Sequence, residues 1–240
     1  MEKVLVVENL KKNYGSIQAL KGISFDVNPG EIFALIGPNG AGKTTALRII
    51  ATILSSNGGD VYVYGMSVKK QPEKVREIIS YLPEEAGAYK VLTGREYLRF
   101  MASLFAPDEK TCKEYVEVAS EIADLGDRIN NKISTYSKGM TRKLLLARAV
   151  MTAPKLAILD EPTSGLDVLN ALEIRNTIKK LAKSGMTVLV SSHNMLEIEY
   201  LCDRVGIINK GEILEVGTPG ELKEKFGAQN IEEVFAEVAR

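Results

Sequence analysis

The sequence predicts an α/β fold with an antiparallel β subdomain near the N-terminus and an inserted α-helical subdomain. Three observations support this prediction. The apolar strand Ile32–Ile36 is followed by a glycine-rich loop and by a helical pattern over residues 44–54. Strand-like and helix-like segments alternate again after Leu156, which is typical of a parallel sheet covered by helices. Between these regions, residues 86–152 show helical patterns with little strand signal.

The N-terminal part has the pattern of an antiparallel sheet beside the core. Short β-rich runs alternate with turns that contain Gly, Asn or Pro, and these runs cover residues 4–7, 24–27 and 61–64. The character of the sequence changes after Pro83. Thr93 and Glu96 then have the spacing of a capping box, which predicts the first helix of the insertion.

The C-terminal half predicts strands that alternate with helices. The strands cover residues 156–159, 187–190 and 205–208, and helices cover residues 169–183 and begin again at Met195. Thr218, Pro219 and Glu221 are typical of the start of a further helix. We therefore expect one domain over residues 3–228 and a short helical tail over residues 229–240.

Composition limits the classes of protein that fit this chain. Its 240 residues suffice for one core, and Lys+Arg and Asp+Glu are equal at 31 each, which argues against nucleic-acid binding. Cys112 and Cys202 lack the spacing of a metal site, so we expect free thiols in a reducing compartment. No apolar run approaches the roughly 18 residues of a membrane span, and no secretory signal is evident. We expect a cytoplasmic protein, peripheral on the inner face of the cell membrane.

Residues 37–45 spell the phosphate-binding loop G-x-x-x-x-G-K-[ST] between the predicted strand and helix. Backbone N–H groups and the helix N-terminus surround the phosphates in such a loop, and glycine allows a close approach. Lys43 supplies a positive charge to the β and γ phosphates, and the Thr44 hydroxyl is placed to hold Mg²⁺. The expected nucleotide contacts of this loop are Gly37, Pro38, Asn39, Gly40, Ala41, Gly42, Lys43, Thr44 and Thr45.

The loop alone leaves kinases, GTPases and motor ATPases open, and a second segment adds acidic groups. The predicted strand after Leu156 ends in Asp160 and Glu161. In a parallel sheet such an ending brings carboxylates to the edge where ligands bind. We expect Asp160 to hold Mg²⁺ and Glu161 to orient or deprotonate the attacking water.

Further segments resemble the ATP-binding cassette (ABC) family over nearly the whole chain. Tyr14 matches the aromatic residue that stacks on adenine in that family, and residues 136–140 (Tyr-Ser-Lys-Gly-Met) resemble its signature L-S-G-G-Q. Residues 164–167 (Ser-Gly-Leu-Asp) resemble the D-loop. His193, the only histidine of the chain, resembles the switch histidine. The ordered set of motifs is highly specific.

The resemblance implies a fold, two ligands and a set of roles. The fold is a P-loop NTPase (RecA-like) core, and the ligands are ATP and Mg²⁺. Lys43, Glu161 and His193 would be the catalytic residues, with a neutral His193 that hydrogen-bonds the γ-phosphate. Ser137 and Gly139 would contact ATP bound to a second cassette. ATP would therefore join two cassettes, as a homodimer or with a close paralogue.

Two segments depart from the family pattern. Lys138 and Met140 replace the third-position glycine and the glutamine of the signature, as in the branch that pairs with separate ABC-2-type export permeases. Glu84 stands where the family usually has glutamine, and its carboxylate can bind Mg²⁺ or water while adding negative charge beside the triphosphate. We expect Thr44, Asp160 and Glu84 as metal ligands.

The leading interpretation is the ATP-binding and hydrolysing subunit of an ABC transporter. ATP would close a cassette dimer, and residues 84–105 would pass the movement to a transmembrane permease on a separate chain. The variant signature favours export. One alternative is a soluble ABC-family ATPase that acts on ribosomes or DNA, although the basic extension or long insert usual in those relatives is missing from this sequence. Another is a small-molecule kinase, in which the signature would have no use.

Overall fold

Residues 3–239, which the computed structural model describes, form ten strands and nine α-helices. The strands are β1 (Leu5–Tyr14), β2 (Ile17–Val27), β3 (Ile32–Ile36), β4 (Gly58–Val63), β5 (Met66–Ser67), β6 (Ile79–Leu82), β7 (Leu156–Asp160), β8 (Thr187–Ser192), β9 (Arg204–Asn209) and β10 (Glu212–Gly217). The helices are α1 (Lys43–Ile50), α2 (Pro72–Arg76), α3 (Gly94–Ser103), α4 (Glu109–Ala123), α5 (Lys138–Val150), α6 (Val168–Lys183), α7 (Met195–Glu199), α8 (Pro219–Phe226) and α9 (Ile231–Val238). Arg240, the last residue of the predicted tail, lies outside the described residues, as do the first two.

The strands form two sheets. The smaller sheet has the order β2-β1-β4-β5 and is antiparallel. The larger sheet has the order β10-β9-β3-β8-β7-β6, and its strands are parallel except for β10, which pairs antiparallel with β9. The predicted α/β class and the predicted N-terminal antiparallel sheet are therefore confirmed.

The larger sheet is covered on both faces, as the continuous apolar runs of its central strands predict. Along β3, Ala34 and Ile36 pack into one buried cluster, which also contains residues of α3, α4, α5 and α6. Phe33 and Leu35 point to the opposite face and pack with α1 and the antiparallel sheet. The carboxyl ends of the parallel strands thus meet at one edge, between two covering layers.

The insertion is helical, as predicted. Thr93 accepts from the backbone N–H of Glu96, and the Glu96 carboxylate accepts from the N–H of Thr93, so the predicted capping box is present at the start of α3. The Asp108 carboxylate accepts from the N–H of Thr111 and so caps the start of α4. Buried residues of α3, α4 and α5 join one cluster, so these helices pack on one another. None of the helices described between residues 3 and 239 is long and apolar enough to cross a membrane.

The predicted limits of the first strands were wrong, because the β1–β2 hairpin extends well beyond its apolar part. A break in the strand register between Val7 and Leu10 ends the regular alternation of β1. The outer half of the hairpin, from Asn13 to Gln18, is exposed and polar except for Tyr14 and Ile17. Backbone pairing continues there without a hydrophobic pattern that would reveal it.

Other errors concern the ends of elements and edge strands. The helix predicted over residues 44–54 ends at Ile50, since the chain turns at Thr52, whose φ is 60°. The strands β6 and β10 were not predicted. Both are edge strands of the larger sheet, and β10 contains two glutamates among its apolar residues.

Candidate nucleotide-binding site

The glycine-rich loop joins the carboxyl end of β3 to the N-terminus of α1. Gly42 precedes the helix with a φ of 110°, a conformation that side chains rarely adopt. At Gly37 the limit is space, since a Cβ atom would lie 2.1 Å from the backbone oxygen of Ile208. The sequence therefore needs glycine at both positions for the loop to fold against β9 and aim the start of α1 at a ligand.

Lys43 is the first residue of α1 and is only 6% exposed. Its Nζ donates to the backbone oxygens of Gly37 (2.8 Å) and Pro38 (3.2 Å). The same nitrogen lies 3.4 Å from Oε1 of Glu161. A buried ammonium group and a helix N-terminus thus meet inside one loop, which is the arrangement expected for binding phosphate.

Asp160 ends β7 and is 1% exposed. Its carboxylate accepts from the hydroxyls of Thr44 (3.2 Å), Ser191 (2.6 Å) and Tyr81 (3.1 Å). Burial, helped by the charge of Asp160, raises the pKa of Tyr81 to about 12, so this phenol stays protonated and donates at neutral pH. The adjacent oxygens of Thr44 and Asp160 fit a magnesium site, since Mg²⁺ prefers oxygen ligands and retains several waters.

Glu161 follows Asp160 and is also buried. Its φ of 47° lies in the left-handed region, and its N–H donates to the backbone oxygen and the hydroxyl of Ser191. Its Oε2 is 2.9 Å from Nδ1 of His193, which is partly exposed at the end of β8. The parallel strands therefore bring the three predicted catalytic residues together, with Glu161 in contact with both Lys43 and His193.

Glu84 lies just beyond β6 and faces the same site. Its carboxylate accepts from the hydroxyl of Ser164, at 3.1 Å. Glu84 and Glu161 both line a cavity of about 320 Å³ whose other wall is formed by Ala19 and residues 39–45. The structure thus places the predicted metal ligands Thr44, Asp160 and Glu84 around the glycine-rich loop.

Three predicted contact residues lie elsewhere in the described chain. Tyr14 is at the end of β1, is 48% exposed and has Nζ of Lys12 at 5.4 Å from its ring centroid. Ser137 precedes α5, and its hydroxyl accepts from the N–H of Met140 at 3.1 Å. Gly139 lies in the first turn of α5. Neither Ser137 nor Gly139 lines the cavity at the glycine-rich loop.

Arg142 is a further residue of the site, and the sequence reasoning missed it. It lies on α5, is 8% exposed and donates to five backbone oxygens, those of Pro83 (3.2 Å), Glu84 (3.0 Å), Asp160 (3.0 Å), Glu161 (2.7 Å) and Pro162 (2.8 Å). Burial lowers the pKa of Arg142, whereas the charges of Glu84, Asp160 and Glu161 act to raise it. Its spacing in the sequence could have indicated a buried position. Arg142 precedes the buried Leu145 and Leu146 by three and four residues and so lies on the same face of α5.

The fold and the site define a P-loop nucleoside triphosphatase. The ABC transporter family matches residues 20–164, and the chain belongs to this family. It is 39% identical over 228 residues to the linearmycin resistance ATP-binding protein LnrL of Bacillus subtilis (strain 168), covering 95% of this chain and 73% of that protein. It is 37% identical over 232 residues to the daunorubicin resistance ATP-binding protein DrrA2 of Streptomyces coeruleorubidus, covering 97% of this chain and 72% of that protein.

Solved structures agree with this family. The structure of an ATP-binding subunit of an ABC transporter superposes with a TM-score of 0.86 at 29% identity, covering 99% of this chain and all of that one. A dimeric ATP-binding cassette bound to ADP and Pi gives a TM-score of 0.79 at 24% identity, covering 89% of this chain and 98% of that one. At this identity the likeness supports the fold alone. The predicted family, ATP as ligand and ATP hydrolysis are confirmed, and the chain is an ABC transporter ATP-binding subunit.

Proposed function

We propose that this subunit works as one half of an ATP-closed cassette dimer that drives export through a permease on a separate chain. The observation that carries the proposal is the position of Ser137 and Gly139. Both lie at the N-terminus of α5, outside the cavity formed by the glycine-rich loop of the same chain. A helix N-terminus of this kind suits a phosphate, and a second cassette would supply one.

Within one cassette, the residues around the glycine-rich loop have distinct roles in the proposal. Thr44 and Asp160 would hold Mg²⁺, with Glu84 beside them, and the ion would neutralise charge on the β and γ phosphates. Lys43 would move its charge from the loop oxygens to the phosphates. Glu161 would accept a proton from the attacking water, and His193, 2.9 Å away, would keep this carboxylate and the γ-phosphate aligned.

The surface beside Ser137 supports a second cassette as the partner. Val168 and Leu169 begin α6 directly after the D-loop, and both are largely exposed. The side chain of Asn170, in the same turn, lies against Gly139, so the start of α6 is next to the proposed phosphate contact. Exposed apolar side chains grouped in this way favour a protein interface.

We expect the Glu161→Gln variant to elute as a dimer with ATP and as a monomer without it. The substitution would slow hydrolysis, so the ATP that joins two cassettes would persist during chromatography. Size-exclusion chromatography with light scattering measures the mass directly. The double variant Lys43→Ala/Glu161→Gln is the control and should stay monomeric with ATP. A single mass for Glu161→Gln under both conditions would contradict ATP-dependent dimerisation.

A second surface suits the proposed permease. Large apolar side chains are exposed along the segment that links β6 to the end of α3 and just beyond, namely Tyr89, Val91, Phe100, Leu104 and Phe105. The rings of Tyr89 and Phe100 pack edge to face with centroids 5.6 Å apart. A patch of this kind would be buried by a membrane partner, which would place the subunit on the inner face of the cell membrane. The resistance proteins among its relatives favour export.

The Phe100→Ser/Phe105→Ser variant is expected to lose association with the proposed transmembrane permease. Both substitutions remove exposed apolar area outside the nucleotide site, so ATP binding should stay within about threefold of wild type. Affinity purification after co-expression, followed by quantitation of the membrane protein, measures the loss. Val118→Ser, an exposed position on α4 of the same subdomain, is the matched control. Undiminished recovery with Phe100→Ser/Phe105→Ser would exclude this docking surface.

A further inference from the structure

We propose that Arg142 is a positioning residue for ATP hydrolysis. It holds the turn at residues 160–162, which carries Glu161, and the segment at residues 83–84 in one fixed arrangement. The inference rests on the proposed role of Glu161. It concerns a side chain that touches neither the glycine-rich loop nor its cavity. Arg142 acts through the backbone of the residues that do.

The first part of the arrangement is the turn that carries Glu161. Nε of Arg142 donates to the backbone oxygen of Pro162, and Nη2 donates to those of Asp160 and Glu161. Three consecutive carbonyl groups thus point at one guanidinium, which fixes the peptide planes on both sides of Glu161. This turn needs such support, because Glu161 has a φ of 47°, which is disfavoured for a residue with a side chain.

The second part is the segment that follows β6. Nη1 of Arg142 donates to the backbone oxygens of Pro83 (3.2 Å) and Glu84 (3.0 Å). Glu84 and Glu161 both line the cavity at the glycine-rich loop, although they are 77 residues apart in the sequence. Arg142 therefore sets the spacing between two acidic residues that line the same cavity.

The chemistry of the contact explains why arginine stands at this position. A guanidinium carries five N–H donors in one plane, and Arg142 uses all five, one on Nε and two on each terminal nitrogen. Lysine has three donors on a single nitrogen and glutamine has two, so neither can hold both segments at once. The buried charge is also compensated, since Glu84, Asp160 and Glu161 lie close to it.

We expect Arg142→Gln to lower kcat for ATP by about 10²-fold while KM stays within about threefold, because a small displacement of a catalytic group is enough to slow the chemistry. Arg142→Lys keeps the charge but lacks the planar guanidinium group, so its kcat should lie between those of Arg142→Gln and wild type. The matched control is Arg148→Gln, on the same helix, where the Nε of Arg148 is buried without a hydrogen-bond partner among residues 3–239. The kcat of Arg148→Gln should stay within about twofold of the wild-type value. Wild-type kcat in Arg142→Gln would overturn the inference.

A double-mutant cycle separates positioning from a general structural effect. In the Glu161→Gln background, measured by single-turnover hydrolysis, adding Arg142→Gln should lower the residual rate by less than about threefold. A further loss of about 10²-fold there would show that Arg142 does not act through Glu161, and would overturn the inference. If Arg142→Gln fails to fold, Arg142→Lys replaces it in the same cycle. Wild-type turnover by Glu161→Gln alone would instead contradict the proposed role of Glu161.

Discussion

Glu161→Gln is expected to lower the turnover number for ATP by about 10³-fold, within the range that a general base contributes, while ATP affinity stays within about threefold. The carboxylate would lose its ability to take a proton from water, but the side chain would keep its size. Its place in the structure is set by backbone contacts, since its N–H is bound by Ser191 of β8. Phosphate release measures turnover, and a fluorescent nucleotide measures affinity.

Two further variants sharpen this test. Glu161→Asp keeps a carboxylate but withdraws it by one methylene, so it should retain binding and lose less activity than Glu161→Gln. Glu114→Gln removes an exposed carboxylate on α4 and should leave both quantities unchanged. Turnover at the wild-type rate by Glu161→Gln would mean that another group activates the water.

Residues that share a short stretch of chain, or the same edge of a parallel sheet, could be predicted from the sequence. The glycine-rich loop is contiguous, so its order of strand, loop and helix is written directly in residues 32–50. Asp160 and His193 are far apart in the chain, yet each follows an apolar run that predicts a parallel strand. Because the carboxyl ends of such strands lie at one edge, their proximity follows from the pattern.

Contacts between residues that are far apart in the sequence, and that leave no periodic pattern in it, could not be predicted in this way. Tyr81 and Ser191 bind the Asp160 carboxylate, but hydroxyl groups within a strand look the same in sequence whether or not they meet a partner. Arg142 gave a weak signal, a charged residue on the apolar face of α5. Its partners are backbone oxygens, which every residue has, so no residue type elsewhere in the sequence identifies them.

The contacts of Tyr14, Ser137 and Gly139 remain predictions for a related reason. Tyr14 and Ser137 are exposed and Gly139 is buried in the first turn of α5, and the proposed partner of each is a nucleotide or a second cassette. Tyr14 is half exposed at the polar end of a hairpin. Packing within one chain explains the position of buried residues, but it does not determine what an exposed side chain binds.

Lys43→Ala is expected to raise the dissociation constant for Mg²⁺-ATP by about 30-fold or more, because loss of a buried charge that binds an opposite charge typically costs about 2–5 kcal/mol. The rest of the loop should keep its fold, since the N–H of Gly37 also donates to the backbone oxygen of Ser192 and the N–H of Ala46 donates to that of Gly42. Isothermal titration calorimetry measures the affinity. Lys43→Arg, which keeps the charge on a larger group, should bind more weakly than wild type and more tightly than Lys43→Ala.

Stability has to be measured beside this affinity, because Lys43 also has partners within the protein. Its removal leaves the oxygens of Gly37 and Pro38 without this donor and takes a positive charge from beside Glu161. Unpaired buried groups cost about 1–3 kcal/mol each, so Lys43→Ala should also unfold at a lower temperature. Affinity lost at a temperature where circular dichroism shows a fully folded variant would therefore report the phosphate contact itself. A wild-type affinity for Mg²⁺-ATP in the Lys43→Ala variant would mean that the loop binds ATP without its lysine.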